Sequence, residues 1–478
     1  MIRAGRFGAP FALLAMLGSC AVGPKYQPPA TPAGAQAPLV SLTPAAETPA
    51  DTPDDWWRLY HDPVLDQLLQ EAFAANDNLK IAEANLSAAR ALFEAAKAGR
   101  YPETTVHAGG VYGRDPGTEE ILEIDGHRPS NLWVFDDILD VSYEVDLFGH
   151  VRRSIEASRA DAEATAAVRD SVKITVAAET TRAYAQICTL GEQLAVARHS
   201  LEVVGHEADI TIRGREAGAR SEFDVVRAEG LVAQARAGIP TLEGQRRAAL
   251  FQLTELLGRT PSRAPTLVEA CVTPPQLGAL IPVGDGAALL KRRPDVRQAD
   301  RRVASATARI GVATADLYPR ISLTGFYGGV ASALDELGHN PGLAWGVGPA
   351  ISWSFPNQAG PRARVRQAKA NEAAALAGFD AVVLQALKET EQALATYGAE
   401  LDRRQALAEA QDKAHRAFDL SHDQLSAGAL TYLELLTTEQ VLVAADAAVA
   451  ASDSALVQDQ IALFKALGGG WRAAGPGQ

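Results

Sequence analysis

Two stretches of the chain alternate between apolar and polar residues, a pattern typical of a strand with one apolar face. They are "LDVSYEVDL" at 139–147 and "WGVGPAISWSF" at 345–355. Each follows a stretch, near 103–113 or 320–331, in which the alternation is less clean. We therefore predict four strands, at about 103–114, 134–148, 320–331 and 343–356.

Long stretches without proline follow the second and the fourth of these strands. No proline occurs within 130–239 or within 362–475. The first stretch allows one helix over 152–213, of about 60 residues and roughly 90 Å at 1.5 Å per residue. Helical periodicity alone leaves open an ordinary coiled-coil rod, although a rod does not explain the four strands.

Each long helical stretch is interrupted once by a glycine and resumes within a few residues. The interruptions are "AGARSEFDVVRAE" at 217–229 and "AGALTYLELLTTE" at 427–439. Gly218 and Gly428 suit the left-handed residue that ends many helices. Both stretches therefore predict the C-terminus of one helix, followed by a short turn.

The residues after each glycine have the spacing of a helix start. Ser221 precedes Asp224 by three residues, and Thr431 precedes Glu434 by three residues. Such pairs form capping boxes, in which the two side chains satisfy free backbone N–H groups. We therefore predict two helical hairpins with their tips at these turns.

The interrupted stretches belong to a repeat that covers most of the chain. The segment from Asn78 aligns with the segment from Asp295, and Tyr184 aligns with Tyr397. The order helix, two strands, long helix, turn, long helix occurs twice, which indicates an internal duplication. The predicted segments are a signal peptide (1–19), a lipid-anchored Pro/Ala-rich tether (20–55), a first repeat (56–275, hairpin 150–258), a second repeat (276–471, hairpin 360–468) and a C-terminal tail (472–478).

The predicted strands have the length and polarity of a membrane-barrel wall. A tilted membrane-spanning strand has about 9 to 11 residues, with one apolar and one polar face. Alternation alone leaves equally open a pair of soluble hairpins packed on helices. Four strands are too few to close a membrane barrel, and open sheet edges are not tolerated in lipid. Strands that span a membrane therefore require several copies of the chain in one barrel.

The N-terminus has the order of a secretory signal peptide. Arg3 and Arg6 precede a short apolar stretch that ends in "LGSC" at 17–20. A cysteine in this position resembles the bacterial lipobox, in which the cysteine, here Cys20, is lipidated and becomes the mature N-terminus. An ordinary cleavage site with an incidental cysteine is the alternative. In the lipobox interpretation Ala21, which is not aspartate, favours the outer membrane.

Charge and composition narrow the class of function. The formal net charge of −13 over 478 residues argues against a nucleic-acid binder. The sequence has no phosphate-binding glycine loop, and none of its nine histidines has an H-E-x-x-H spacing, so we expect no enzyme, cofactor or metal. Cys188 and Cys271 form a disulfide in an oxidising compartment or are small buried apolar residues, and the sequence leaves both open.

With these features in place, the chain resembles the TolC-type outer-membrane efflux proteins, specifically the OprM and NodT-like lipoprotein branch. The matching motifs are "LGSCAVGPKYQPP" at the start, "YEVDLFGHVRRSIEA" at 143–157, "RRPDVRQADRRVASATARIGVATADLYPRISLTG" at 292–325 and "ALGGGW" at 466–471. The resemblance implies a mixed α and β fold and a homotrimer. Each protomer gives four strands to a twelve-stranded outer-membrane β-barrel, and the long helices form a periplasmic α-barrel.

The resemblance also implies a function and partners. It implies a passive duct for drugs or other small molecules, docked through a periplasmic adaptor to an inner-membrane transporter of the resistance-nodulation-division class. A type I protein-secretion duct and a lipid-anchored periplasmic coiled-coil scaffold are the alternatives. Outer-membrane lipid is the remaining partner, and the lipid on Cys20 is the expected covalent group.

In the resembling family the hairpin tips lie at the periplasmic end, where the adaptor docks and carboxylate rings help to close the tunnel. Glu434 is the nearest candidate for such a ring, with Tyr432 and Thr437 beside it. Its alternative role is that of a capping carboxylate. The two tips also differ in polarity: the first carries Arg220, Glu222 and Arg227, and the second carries Leu430, Tyr432 and Leu435. We therefore expect different roles for the two tips, with the gate at the second.

Overall fold

The structure is a computed structural model that describes residues 21–42, 47–48, 50, 52–113, 131–278, 280–331, 333–337 and 343–469. Its strands are β1 (Glu47–Thr48), β2 (Glu103–Gly113), β3 (Leu132–Val145), β4 (Ile281–Pro282), β5 (Arg320–Ala331) and β6 (Leu343–Ser352). Its helices are α1 (Pro63–Ala75), α2 (Asp77–Ala98), α3 (His150–Glu216), α4 (Glu222–Leu256), α5 (Gly286–Arg292), α6 (Pro294–Ala315), α7 (Ala359–Ser426) and α8 (Tyr432–Ala466).

Helices of nearly equal length occur in the two halves of the chain. The helices α3 and α7 have 67 and 68 residues, and α4 and α8 have 35 residues each. The helices that precede each strand pair, α2 and α6, have 22 residues each. The order helix, strand, strand, long helix, helix therefore occurs twice along the described chain.

One compact unit contains residues 21–29, 86–165 and 299–379 and is built around an antiparallel sheet in the order β2-β3-β5-β6. Val106 lies opposite Leu139, which lies opposite Tyr327, which lies opposite Trp345. This row crosses all four strands and fixes which residues share a face. Within the described chain, β2 and β6 each have one strand neighbour and form the edges.

Two strands end before the predicted boundaries of 148 and 356. Strand β3 ends at Val145 because the Asp146 carboxylate accepts hydrogen bonds from the N–H groups of Val151 (3.1 Å) and Arg152 (2.8 Å), which begins α3. Strand β6 ends at Ser352, and the next side chain, Trp353, donates from its ring nitrogen to the Leu317 carbonyl at 3.2 Å. In both places a side-chain hydrogen bond replaces strand pairing.

The second unit contains residues 30–85, 166–298 and 380–469 of the described chain and holds the largest apolar core. Trp56, which is fully buried, stacks on Phe464 with ring centroids 4.6 Å apart. Tyr184 and Tyr397, the pair aligned by the repeat, are both buried in this core. Tyr184 donates from its hydroxyl to the Asp62 carboxylate at 2.7 Å, which satisfies its one polar atom.

The described part of the expected tether is packed against the helical parts of the chain. The N–H groups of Val40 and Ser41 donate to the Glu391 carboxylate of α7 at 2.8 and 2.9 Å, and Leu39 is 7% exposed. Farther along, β1 pairs in parallel with β4. The composition of this segment predicts an extended tether. It does not indicate these contacts, because the partner residues lie hundreds of positions away in the sequence.

Cys188 and Cys271 form a disulfide, which settles the question that the sequence left open. Their Cα atoms are 4.8 Å apart, and the bond joins α3 to the segment that follows α4. Arg246 donates to the carbonyl groups of Ile187, Glu269 and Cys271 at 3.2, 2.6 and 2.9 Å. Covalent and hydrogen bonds thus hold the same segment against α3.

Candidate functional site

The tip of the first hairpin is formed entirely by local backbone and capping contacts. Gly218 has a positive φ of 76°, and the next N–H, of Ala219, donates to the Gly214 carbonyl at 2.8 Å. This arrangement is a Schellman motif, which ends α3. Ser221 then starts α4: its N–H and hydroxyl donate to the Asp224 carboxylate at 3.0 and 2.7 Å.

The tip of the second hairpin has the same construction. Gly428 has a φ of 71°, and the Ala429 N–H donates to the Gln424 carbonyl at 2.9 Å, which ends α7. Thr431 starts α8, and its N–H and hydroxyl donate to the Glu434 carboxylate at 2.9 and 2.7 Å. The helix end and the capping box predicted from the sequence are therefore present at both hairpin tips.

Both capping carboxylates are held in the charged form. The backbone N–H of Ser221 lowers the pKa of Asp224, and the Thr431 hydroxyl lowers the pKa of Glu434, because each donated hydrogen bond favours the carboxylate. Both side chains are exposed to solvent at the tips. At the first tip, the charges of Arg220 and Arg227 also lower the pKa of Asp224.

The structure places the three gate candidates on the first turns of α8. Glu434 is exposed and forms the capping box, so its alternative role as a cap is observed. Thr437 is also exposed, and its hydroxyl donates to the Leu433 carbonyl at 2.9 Å. Tyr432 is the first residue of the helix, and its side chain lies outside the described residues.

Some of the apolar residues at the second tip are buried. Leu435 and Leu436 of the second tip are 1% and 2% exposed and form a small core with Leu231, Phe418, Leu425 and Leu430. At the first tip, Phe223 and Val226 are 70% and 59% exposed. Exposed apolar side chains therefore lie at both tips: Phe223 and Val226 at the first, on one face of α4, and Leu433, at 48%, at the second.

A buried carboxyl lies two turns into α8 and was not identified from the sequence. Glu439 is 1% exposed, and neither of its carboxyl oxygens has a hydrogen-bond partner among the described residues. Burial, together with the charge of Glu207 on α3, raises the pKa of Glu439 to about 7. Its signal in the sequence is a single acid in an otherwise apolar stretch, "EQVLVAA".

The sheet has one strongly apolar face. The strand register places on this face the exposed or half-exposed side chains of Val106, Tyr112, Trp133, Leu139, Val141, Tyr143, Leu323, Tyr327, Trp345, Val347 and Ile351. Asp137 is its one charged residue among the described strands, and its carboxylate accepts a hydrogen bond from the Gly329 N–H at 3.2 Å. The opposite face is mixed. Its polar residues are Glu103, Thr105, His107, Asp136, Asp140, Ser142, Glu144, Arg320, Ser322, Thr324 and Ser352, and its larger apolar residues are Val111, Val134, Ile138, Phe326 and Val330.

Aromatic pairs lie at both ends of this sheet. At one end, Trp133 stacks on Phe135 with ring centroids 5.5 Å apart, and Tyr112 lies 5.4 Å from Trp133. At the end that leads into the helices, Trp353 stacks on Phe355 at 4.8 Å. An apolar band flanked by aromatic side chains is the surface that transmembrane barrels present to lipid.

The predicted lipidation residue, Cys20, lies outside the described residues. The chain just after it is held at the junction of β3 and α3. The Val22 N–H donates to the Phe148 carbonyl at 3.0 Å, and Arg153, which is 4% exposed, donates to the carbonyl groups of Val22 and Gly23 at 3.3 Å each. Val22 and Gly23 therefore lie next to the helix-side end of the sheet.

The sequence and the fold both match known proteins. The model of the family described as outer membrane efflux protein matches residues 68–259 and 287–469. Nodulation protein T of Rhizobium leguminosarum bv. viciae is 28% identical over 459 residues, covering 96% of this chain and 92% of that protein. The toluene efflux pump outer membrane protein TtgI of Pseudomonas putida is 30% identical over 479 residues, covering 96% and 97%.

A solved structure, described as that of the outer-membrane channel OprN, has the same fold. It superposes with a TM-score of 0.86 at 34% sequence identity. The match covers 95% of this chain and 100% of that one. The similarity therefore includes both the sheet and the long helices.

Proposed function

Because this chain belongs to the outer membrane efflux protein family, we propose that three copies of it form one passive exit duct for small molecules across the outer membrane of a Gram-negative bacterium. The four strands of each copy contribute to a shared twelve-stranded barrel. The long helices extend this duct into the periplasm. Such a duct works by its shape and by the charges of its lining, and it catalyses no reaction.

The apolar face of the sheet is the observation that carries this proposal. Trp345, Val347 and Ile351 on strand β6 are 73%, 71% and 69% exposed on one chain, a large apolar surface for a protein in water. Lipid is the surrounding in which such a face is stable. The free edges of β2 and β6 require strand partners there, because lipid offers no hydrogen bonds to an open edge.

The helices support the same assembly. At 1.5 Å per residue, the 67 residues of α3 give about 100 Å. Within α8, residues Leu433–Ala466 are apolar enough to cross a membrane by length and composition alone, with a mean hydropathy of 1.4. Only 28% of the most apolar stretch of this helix is buried. We propose that neighbouring copies cover this surface in the trimer, and that the two similar halves of the chain arose by duplication.

The hairpin tips are the proposed docking and gating end of the duct. The exposed Phe223 and Val226 of the first tip offer an apolar surface to a periplasmic adaptor, which links the duct to an inner-membrane transporter of the resistance-nodulation-division class. Glu434, Tyr432 and Thr437 of the second tip are the proposed constriction. We also propose that Cys20 carries lipid, which metabolic labelling with palmitate and a Cys20→Ser control would test.

The substrates are proposed to be small molecules, since one relative is named as a toluene efflux pump protein. A type I protein-secretion duct is the alternative, and deletion of the gene distinguishes the two. Loss of resistance to solvents or drugs supports small-molecule efflux, whereas loss of a secreted protein supports the alternative. A lipid-anchored periplasmic coiled-coil scaffold is disfavoured by the exposed apolar face of the sheet.

Reconstitution of the purified protein tests the proposal directly. We expect an SDS-resistant trimer that dissociates on heating, strand signal in circular dichroism in detergent, and discrete conductance steps in a planar bilayer. A protein that stays monomeric in detergent and gives no conductance would contradict the proposal.

A further inference from the structure

We propose that exposed cations at the helix-side end of the sheet bind the headgroups of anionic phospholipids. This cationic collar consists of Arg100, Arg152, Arg362, Arg366 and Lys369. All five side chains are exposed, and none forms an ion pair with an acidic residue among the described residues. The inference rests on the proposed function, because it assumes that the sheet spans the membrane.

The first turns of α7 have an unusual charge pattern. From Ala359 the helix contains Arg362, Arg364, Arg366 and Lys369 before its first acid, Glu372. The N-terminus of a helix carries partial positive charge and favours acids, and its first turn here has none. At the tips, by contrast, both α4 and α8 begin with acids.

The cations also repel one another along the helix. Arg362 and Arg366 are four residues apart, and Arg366 and Lys369 are three apart, so the three side chains share one face. Like charges at these spacings destabilise an isolated helix. Of the neighbouring cations, Arg364 has an acidic partner, Asp316, at 3.7 Å. A stripe of repelling charges without acids indicates an anionic partner outside the chain.

A second part of the collar lies beside the first pair of strands. Arg100 and Arg152 line a cleft of about 380 Å³ together with Lys97, Arg159, Glu156, Phe93 and Ile155. Three of these charges have partners: Lys97 pairs with Glu94 at 2.9 Å, Arg159 with Glu163 at 3.0 Å and Glu156 with Arg153 at 2.7 Å, which leaves the cations of Arg100 and Arg152. The remaining positive charge beside an apolar wall suits a phosphate headgroup attached to an apolar tail.

The order of residues along the chain places these cations at a membrane surface. Strand β6 ends at Ser352, the stacked pair of Trp353 and Phe355 follows, and Arg362 comes next. Aromatic side chains lie at the boundary between hydrocarbon and headgroups, and cations lie just beyond it. The stack of Phe148 on Tyr318, at 4.6 Å, takes the same position ahead of Arg152.

Lipid binding by a charge-neutralised variant tests the proposal. The variant replaces Arg362, Arg366 and Lys369 with glutamine. The matched control replaces Lys388, Lys413 and Arg416, three exposed cations of the same helix. The control cations lie at least about 30 Å farther along the helix, beyond the Debye length of about 10 Å.

The purified trimer of each protein is titrated with phosphatidylglycerol or phosphatidylcholine, and bound lipids are counted by native mass spectrometry. We expect wild type and control to prefer phosphatidylglycerol by at least about tenfold, since each cation near an anionic surface contributes about fivefold. We expect the preference of the variant to fall by about tenfold or more, and that of wild type to weaken in high salt.

Two results would overturn the proposal. One is equal binding of the two lipids by wild type. The other is a variant whose preference for phosphatidylglycerol equals that of wild type. If that variant trimer has also lost its resistance to SDS, the cations would be assigned to carboxylates of a second copy. Insertion is measured separately, by protease protection of the sheet in vesicles. Failure of insertion would contradict the proposed function, whereas normal insertion without lipid preference would contradict only the collar.

Discussion

The Glu439 carboxyl on α8 is buried and has no hydrogen-bond partner among the described residues, and it lies close enough to Glu207 on α3 for the charge of Glu207 to raise its pKa. Its pKa is raised from 4.5 to about 7, so the folded chain holds this proton at pH values where the unfolded chain has released it. The stability from the neutral carboxyl is complete below about pH 4.5 and is lost as the pH rises to about 7. The free energy of unfolding is therefore lower by about 3 kcal/mol per chain above this pH range than below it.

We therefore predict that Glu439→Gln reduces the loss of thermal stability between pH 5 and pH 8. The measurement is the melting midpoint of the helical circular dichroism signal at both pH values. Glu409→Gln is the control, because this acid on α7 is exposed and its replacement should leave the pH dependence unchanged. The same drop in midpoint for wild type and Glu439→Gln would contradict the prediction.

A second prediction separates the gate role of Glu434 from its capping role. Glu434→Gln keeps an oxygen that accepts from Thr431 but removes the charge. Thr431→Ala keeps the charge but removes the side-chain cap, which should cost about 1 kcal/mol in helix stability. If Glu434 lines the constriction, Glu434→Gln alters conductance and cation preference in planar bilayers.

Thr431→Ala should lower the melting midpoint with little change in ion preference. Unchanged conductance and selectivity in Glu434→Gln would leave the residue with its capping role alone. The gate assignment would then be wrong, while the hairpin geometry would stand.

A third prediction concerns the close approach of β5 to β3. A Cβ atom at Gly328 would lie 1.9 Å from the Asp137 carbonyl oxygen. This oxygen belongs to the backbone of the paired strand and cannot rotate away as a side-chain atom could. Gly328→Ala should therefore disrupt the pairing of these strands and reduce the yield of SDS-resistant trimer several-fold. Gly348→Ala on β6 is the control, since a Cβ there meets nothing within 4 Å. Equal trimer yields for both variants would refute this strand pairing.

A fourth prediction concerns the Cys188–Cys271 disulfide, which closes a loop with a sequence separation of 83 residues. Replacing both cysteines with serine should lower the free energy of unfolding by about 2–4 kcal/mol. The check is the melting midpoint of wild type with and without reductant, compared with the double variant, which should not respond to reductant. The contrary result is labelling of both cysteines by a maleimide when wild-type protein is denatured without reductant. That result would rule the bond out.

The features that follow from local chemistry could be predicted from the sequence. Gly218 and Gly428 need only their own backbone conformation, and the capping boxes at Ser221 and Thr431 span three residues each. The strands are visible because side chains alternate between a polar and an apolar face. These signals depend on residues that are close in sequence.

The remaining features depend on contacts between distant parts of the chain. Tyr26 packs against the Arg301 guanidinium, 5.2 Å from the ring centroid, and Val40 binds Glu391, although the composition of both segments is that of a linker. The burial of Leu435, and of the acid Glu439, depends on which helices surround α8. Periodicity shows that a residue lies on a face, but it does not show what covers that face.

A shared barrel closes only if the edges β2 and β6 of different copies pair with each other. Cysteine at His107 on β2, combined with single cysteines scanned over 344–352 on β6, tests this by oxidation and non-reducing gels. The control pair, Ser142→Cys and Thr324→Cys, joins neighbouring strands of one chain and should stay monomeric. We predict covalent dimers and trimers at the β6 positions that lie opposite His107, and monomers at every β6 position would contradict the shared barrel.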